Sequence, residues 1–213
     1  RNALDTAVSE RALREIYLES FRIAVQEARP WTIMSSYNLI NGVHASESRD
    51  LLTAILREDW GFGGMVMSDW YGGQDAVAQM QAGNDLLMPG TVAQANAVLK
   101  AVGEGRLEES VLDRNIERIL AVLVQTPRFA GRQPSNRPDL TSHAALARVA
   151  AADGMVLLKN AGGTLPLAPP RKLAAFGNSS YRIITGGTGS GDVNEAYSVS
   201  LAKGLESAGY TID

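Results

Sequence analysis

Three short apolar runs, separated by amphipathic segments, constrain this chain more than any other feature. The runs are Trp31-Thr32-Ile33-Met34-Ser35-Ser36-Tyr37-Asn38, Met65 to Ser68, and Leu86-Leu87-Met88. Turn signals follow them: Asn41-Gly42 after the first, Tyr71-Gly72-Gly73 after the second, Pro89-Gly90 after the third. Ahead of the first run, from Asp5 to about Ala28, the residues Leu13, Ile16, Tyr17, Phe21, Ala24 and Ala28 recur at three- and four-residue steps. This pattern predicts an amphipathic helix with one buried face, closed by Pro30. Ser48 can cap a second helix that carries Leu51, Leu52, Ile55 and Leu56 to Trp60, and a third is expected over Gln74 to Ala82. Strands alternating with helices at this spacing imply right-handed crossovers and a parallel sheet. Helices from Ala93 to Glu104 and from Leu107 to Val124 complete the unit.

Residues Pro127 to Pro138 change character, mixing Pro127, Pro134 and Pro138 with Gly131, Arg128, Arg132 and Arg137. Such a stretch packs poorly and reads as a linker. Beyond it, Thr141 or Ser142 can cap a helix through Ala152, and the apolar run Met155 to Leu158 follows. A strand at Leu173 to Gly177, a helix at Ser198 to Ala208 and a strand at Tyr210 to Ile212 start a second α/β region. The expected bounds are 1–126 for the first domain, 127–140 for the linker and 141–213 for the second domain. A β/α barrel needs eight strands and about 250 residues, whereas only a few strands are legible, so the chain reads as part of a larger protein.

The 213 residues are 45% apolar with a formal net charge of −3, which suits a soluble globular protein and offers no basic stripe for nucleic acid. No apolar run approaches the roughly 20 residues that span a bilayer, and the first residues lack a signal peptide's apolar core. The compartment stays open between periplasm, exterior and cytoplasm. With no cysteine, and with His44 and His143 far apart, neither a thiolate nucleophile nor a histidine-rich metal site is expected. Acid-base chemistry then falls to carboxylates, with no cofactor expected.

The second run ends on Asp69 and Trp70. A parallel strand delivering a carboxylate and a flat aromatic at its C-terminal end resembles one wall of a sugar-cleaving site. Asp59-Trp60 is an internal control, since it precedes the strand and belongs at the opposite face, where carboxylates serve stability. Other roles stay open: Asp69 could cap the next helix, Trp70 could pack under a loop, and Tyr37 could be a plain strand aromatic. Asp85 reads as a loop or bottom-face residue, His44 as a solvated loop histidine, and Met34 and Met88 as core. The glycine-rich segment Gly186 to Asp192 lacks the lysine of a P-loop and the spacing of a dinucleotide turn.

Five ordered runs carry a family resemblance: Ser9 to Leu18, Met34-Ser35-Ser36-Tyr37-Asn38 with Asn41-Gly42, Leu56 to Gly64, Val66-Met67-Ser68-Asp69-Trp70, and Ala82 to Gly90. Together with Gly154 to Asn160 after the linker, they resemble glycoside hydrolase family 3. The resemblance implies the C-terminal part of a (β/α)8 TIM-type barrel followed by the start of an α/β sandwich. It implies retaining cleavage of β-glycosidic bonds at the non-reducing end, most simply of β-glucosides, with Asp69 as nucleophile and Tyr37 positioning it. Trp70 and Met34 are the substrate-contact candidates. The family's acid/base glutamate and its upstream sugar-clasping residues fall outside this sequence, so the expected partners are a β-linked glucoside and the remaining segments of the same enzyme. Neither Asp192 nor Glu195 matches the acid/base. An inert or sugar-binding scaffold and the family's N-acetylglucosaminidase branch are the competing readings.

Overall fold

The computed structural model describes residues 2–213, which form two compact units, residues 2–136 and Arg137–Asp213. In the first unit, Ser9 accepts the Ala12 amide at 3.2 Å and opens a helical run over 10–28, here α1. That cap fixes the start, so Asp5 and Thr6, expected in the helix, instead form strand β1 (Asp5–Thr6). The helix ends where Arg29 turns left-handed, with φ 49°, ahead of Pro30. Its expected buried stripe is largely open: Leu13 is buried, but Ile16, Tyr17 and Phe21 are more than half exposed. Tyr17 and Phe21 instead wall an apolar groove of about 390 Å³ together with Leu13, Ile33 and Met34.

Strand β2 (Thr32–Ser35) is half the length expected from its sequence run. The run is cut short because Ser36 donates to the Asn38 side chain at 2.8 Å, turning the chain into a hairpin of β3 (Leu39–Ile40) and β4 (Val43–His44). β1 pairs parallel with β3. Asn41, with φ 50°, and Gly42, with φ 85°, form the hairpin turn. Asn41 also clamps residue 8, accepting the Val8 amide and donating to the Val8 carbonyl, each at 2.9 Å.

Helix α2 (Asp50–Asp59) starts beneath Ser48, whose hydroxyl accepts the Leu51 amide at 3.2 Å. It leads to β5 (Met65–Ser68), which pairs parallel with β2 in the register Thr32↔Met65 through Ser35↔Ser68. Side chains alternate across these strands. Ile33 and Val66 therefore share one face, where they pack with Val25, Leu52, Leu56 and Phe62. Burying each of these side chains stabilises the fold by about 1.5–3 kcal/mol. Thr32, Met34, Met65 and Met67 take the other face, and Met34 is 58% exposed rather than core. The third expected strand survives only as a parallel bridge between Met67 and Leu86. It stops there because the Met88 amide goes to the Ser68 hydroxyl at 2.8 Å instead of to a backbone carbonyl.

Gly64 lets β2 and β5 approach. A Cβ at this position would lie 2.2 Å from the Trp31 carbonyl oxygen, against rigid backbone. Gly64→Ala is therefore expected to cost about 1–3 kcal/mol, read as a lower urea midpoint. An unchanged midpoint would show that the strands part freely there.

Helices α3 (Ala76–Ala82), α4 (Val92–Gly103) and α5 (Glu109–Leu123) close the unit. Met80, Ala101 and Leu107 form a second cluster, joined by Val77, Leu87 and Leu112. In the second unit, helix α6 (Leu140–Asp153) is capped by Asp139, two residues ahead of the expected Thr141, because the Asp139 carboxylate reaches the Ser142 amide at 3.1 Å. Strands β6 (Lys172–Leu173) and β7 (Thr211–Ile212) pair parallel, with α7 (Leu201–Ser207) leading into β7. Met155, Val156, Leu157 and Leu158 are all more than half exposed. Among the described residues no helix is long and apolar enough to cross a membrane.

Candidate active site

The parallel register of β2 and β5 sends Tyr37 and Asp69 off the same, C-terminal end of the sheet. Asp69 extends the ladder one residue past Ser68: its amide donates to the Ser35 carbonyl at 3.1 Å. By alternation its side chain continues the face of Met65 and Met67, the face Met34 occupies on β2. The chain then turns back tightly. Gly72 donates to the Asp69 carbonyl and Tyr71 donates to the Met88 carbonyl, both at 2.9 Å. Asp69 Oδ1 accepts the Trp70 amide at 2.6 Å.

Trp70 is 51% exposed and meets Tyr71 edge to face, with ring centroids 6.4 Å apart. Tyr71 sits at φ 61°, a left-handed conformation costly for a bulky residue. Strain of this kind is held only where the surroundings over-determine the backbone, and here both neighbouring amides are bonded. Tyr37 is half-buried just beyond β2, and its carbonyl is in hydrogen-bond contact with His44 Nδ1 at 3.2 Å. His44 is itself buried, in contrast to the solvated histidine expected from its loop position. The hairpin folds it back beneath Tyr37, which gives it a bracing place.

The opposite end of the sheet holds different chemistry. Asp59 is exposed and pairs with Arg14 at 2.7 Å, while Trp60 packs against the core. Asp85 has a fully buried side chain that accepts from Arg57 at 2.7 Å, Arg118 at 3.0 Å and the Val66 amide at 2.8 Å. Burial pushes the Arg57 guanidinium down to about 10, with the Asp85 charge opposing the shift and Arg118 adding to it. Arg57 therefore stays charged at neutral pH, held in place by one carboxylate and the carbonyls of Phe62, Gly64 and Gly83. This cluster locks α2, β5 and α5 together and presents no open carboxylate to a substrate.

In the second unit, Glu195 is exposed. Its own backbone N–H and the Thr185 hydroxyl hold its carboxyl below the ordinary range. A general acid needs the reverse shift. The glycine-rich segment folds onto itself, with Val193 donating to the Gly186 carbonyl at 3.2 Å. Among the described residues no three histidine or acidic side chains are grouped to hold a metal ion.

Tyr37, Asp69 and Trp70 thus fall at one end of a parallel sheet, with the Asp69 backbone held by the strand ladder and an exposed indole beside it. The profile of the Glycosyl hydrolase family 3 N terminal domain matches residues 2–122. The chain belongs to glycosyl hydrolase family 3. It is 39% identical over 208 residues to probable beta-glucosidase J of Emericella nidulans, covering 96% of this chain and 24% of that protein. It is 37% identical over 222 residues to an exo-alpha-(1->6)-L-arabinopyranosidase of Bifidobacterium breve, covering 100% of this chain and 29% of that protein. It superposes with TM-score 0.91 and 47% identity on beta-glucosidase 3B from Thermotoga neapolitana in complex with alpha-D-glucose, covering 100% of this chain and 31% of that one. The chain spans about a quarter of the length of the curated relatives it matches.

Proposed function

We propose that this chain carries the nucleophile half of the active site of a retaining β-glucosidase. The observation that carries the reading is the position of Asp69: a carboxylate whose backbone is fixed in the parallel ladder, at its C-terminal end, with an exposed tryptophan next in sequence. In this reading residues 1–126 are the C-terminal part of a TIM-type barrel, 127–140 is a linker, and 141–213 begins an α/β sandwich. The likeness to β-glucosidases over the whole chain supports it.

The Asp69 carboxylate attacks the anomeric carbon of a non-reducing-end β-glucoside. The glycosidic oxygen departs with a proton from a glutamic acid outside this chain, leaving an ester on Asp69. Water, deprotonated by that glutamate, then attacks the same carbon and frees Asp69 with net retention. Tyr37, at the end of the neighbouring strand, orients Asp69. Trp70 gives the leaving sugar an apolar face to stack on. Met34, exposed on the face that Asp69 continues, lies beneath the glycone. Sugar choice is the finer question, since a relative in the same family is named for an arabinopyranoside.

The test uses the full-length polypeptide containing this sequence and a 2-fluoro β-glucoside with an activated leaving group, which arrests the ester. Mass spectrometry is expected to place the label on Asp69. Label on another carboxylate, or turnover without any label, would remove Asp69 from the role. Running the matching arabinopyranoside in parallel decides the sugar. Binding of glucose without turnover would favour the scaffold reading.

A further inference from the structure

We infer that Glu47 is a positioning residue, clasping the loop that bears Asp69 and Trp70 to the segment that follows Tyr37. The inference deepens the proposed function and rests on the assignment of Asp69 as nucleophile. Glu47 lies in a short 3-10 turn, Ala45–Glu47, between the hairpin and α2. Its Oε1 accepts two consecutive backbone amides from the other loop, Gln74 and Asp75, the latter at 2.8 Å. A single carboxylate oxygen thus fixes the orientation of two successive peptide units 27 and 28 residues away in sequence. Hydrogen bonds to an ionised acceptor are among the stronger ones in proteins.

Neighbouring features tie the clasp to the candidate site. The loop from Asp69 is pinned at its start by the Ser35 carbonyl and by Met88. Between that start and Gln74 the chain makes one turn, closed by the Gly72 amide on the Asp69 carbonyl, and then passes through Gly73 at φ 75°. The far end of this loop is where Glu47 binds. Gly73 is seated directly on the Glu47 segment, since a Cβ there would come within 2.4 Å of the Ser46 hydroxyl. Asp75 then caps α3, accepting the Val77 amide at 2.8 Å and the Ala78 amide at 3.1 Å, so the bond to Glu47 also fixes where that helix begins. On its other side, the Glu47 segment follows His44, whose ring contacts the Tyr37 carbonyl. One brace therefore runs from Tyr37 through the hairpin and Glu47 to the loop of Asp69 and Trp70.

The test compares Glu47→Ala, Glu47→Gln and the parent in the full-length polypeptide. The readout is the rate of glycosyl-enzyme formation from an activated aryl β-glucoside, per site trappable by the fluorinated analogue. Normalising to trappable sites removes any loss caused by unfolding. Glu47→Ala is expected to slow this step by about 10- to 100-fold, the penalty for misplacing a reacting group by about 1 Å. Glu47→Gln keeps an acceptor oxygen and is expected to restore most of the rate. A parent-like rate in Glu47→Ala, or a Glu47→Gln rate as low as that of Glu47→Ala, would overturn the clasp while leaving Asp69 in place. Label falling elsewhere than Asp69 in the parent would instead remove the nucleophile assignment, and the clasp with it.

Discussion

Replacing Asp69 with glycine in the full-length polypeptide is expected to lower turnover of a β-glucoside by about 10⁴-fold or more, the scale of losing a covalent nucleophile. The more informative result is what returns when azide is added. A small anion can enter the space vacated by the carboxymethyl group and attack the anomeric carbon from the same side as Asp69. One displacement inverts where two retain, so a β-glucoside is expected to yield the α-glycosyl azide. Proton coupling at the anomeric position reads that stereochemistry directly. Recovery of a β-azide, or parent-level turnover in the variant, would place the nucleophile elsewhere. The same change at Asp59 is a matched control, because Asp59 lies at the opposite end of the strand in an exposed pair with Arg14.

Asp85→Ala is expected to damage the fold rather than the chemistry. The carboxylate is fully buried between Arg57 and Arg118, and the Arg57 side chain is only 8% exposed. Removing one partner of a buried ion pair strands the other charge away from water, at a cost of about 3–5 kcal/mol. The Val66 amide loses its acceptor as well. Urea unfolding should show a midpoint lowered accordingly, with any residual folded protein still able to label at Asp69. A midpoint within error of the parent would mean that water reaches the guanidinium groups and that the cluster stabilises little.

The contrast between Asp69 and Asp85 marks what could be read from the sequence. The alternation of apolar runs with amphipathic segments was enough to anticipate parallel pairing of β2 and β5, and it gave each aspartate its end of the sheet. The partners of Asp85 were not legible, since Arg57 and Arg118 lie 28 and 33 residues from it and only the tertiary fold brings them together. Glu47 was missed for the same reason: a lone loop carboxylate looks alike whether it faces water or two distant amides. His44 was misplaced because a loop position suggests solvent, whereas the Asn41-Gly42 hairpin folds the ring back under Tyr37. Boundaries shifted where a side chain captured a backbone group. Asp139 captured the Ser142 amide and Ser68 captured the Met88 amide, and neither choice is encoded in hydrophobic periodicity. The stripe of Ile16, Tyr17 and Phe21 was expected to be buried, but all three residues are more than half exposed, Tyr17 and Phe21 along the groove they share with Ile33 and Met34.

The sheet's division of labour also bears on how such a protein can diversify. The amide clamped by Asp85 belongs to Val66, three residues before Asp69, which at about 3.3 Å per residue puts roughly 10 Å between the anchored end and the proposed nucleophile. At that separation the free-energy effects of substitutions tend to add rather than compound. Substitutions among the residues of loops 37–47 and 70–75 that take no part in the proposed site or the Glu47 clasp are therefore expected to leave the arginine cluster beneath, and the stability it supplies, intact.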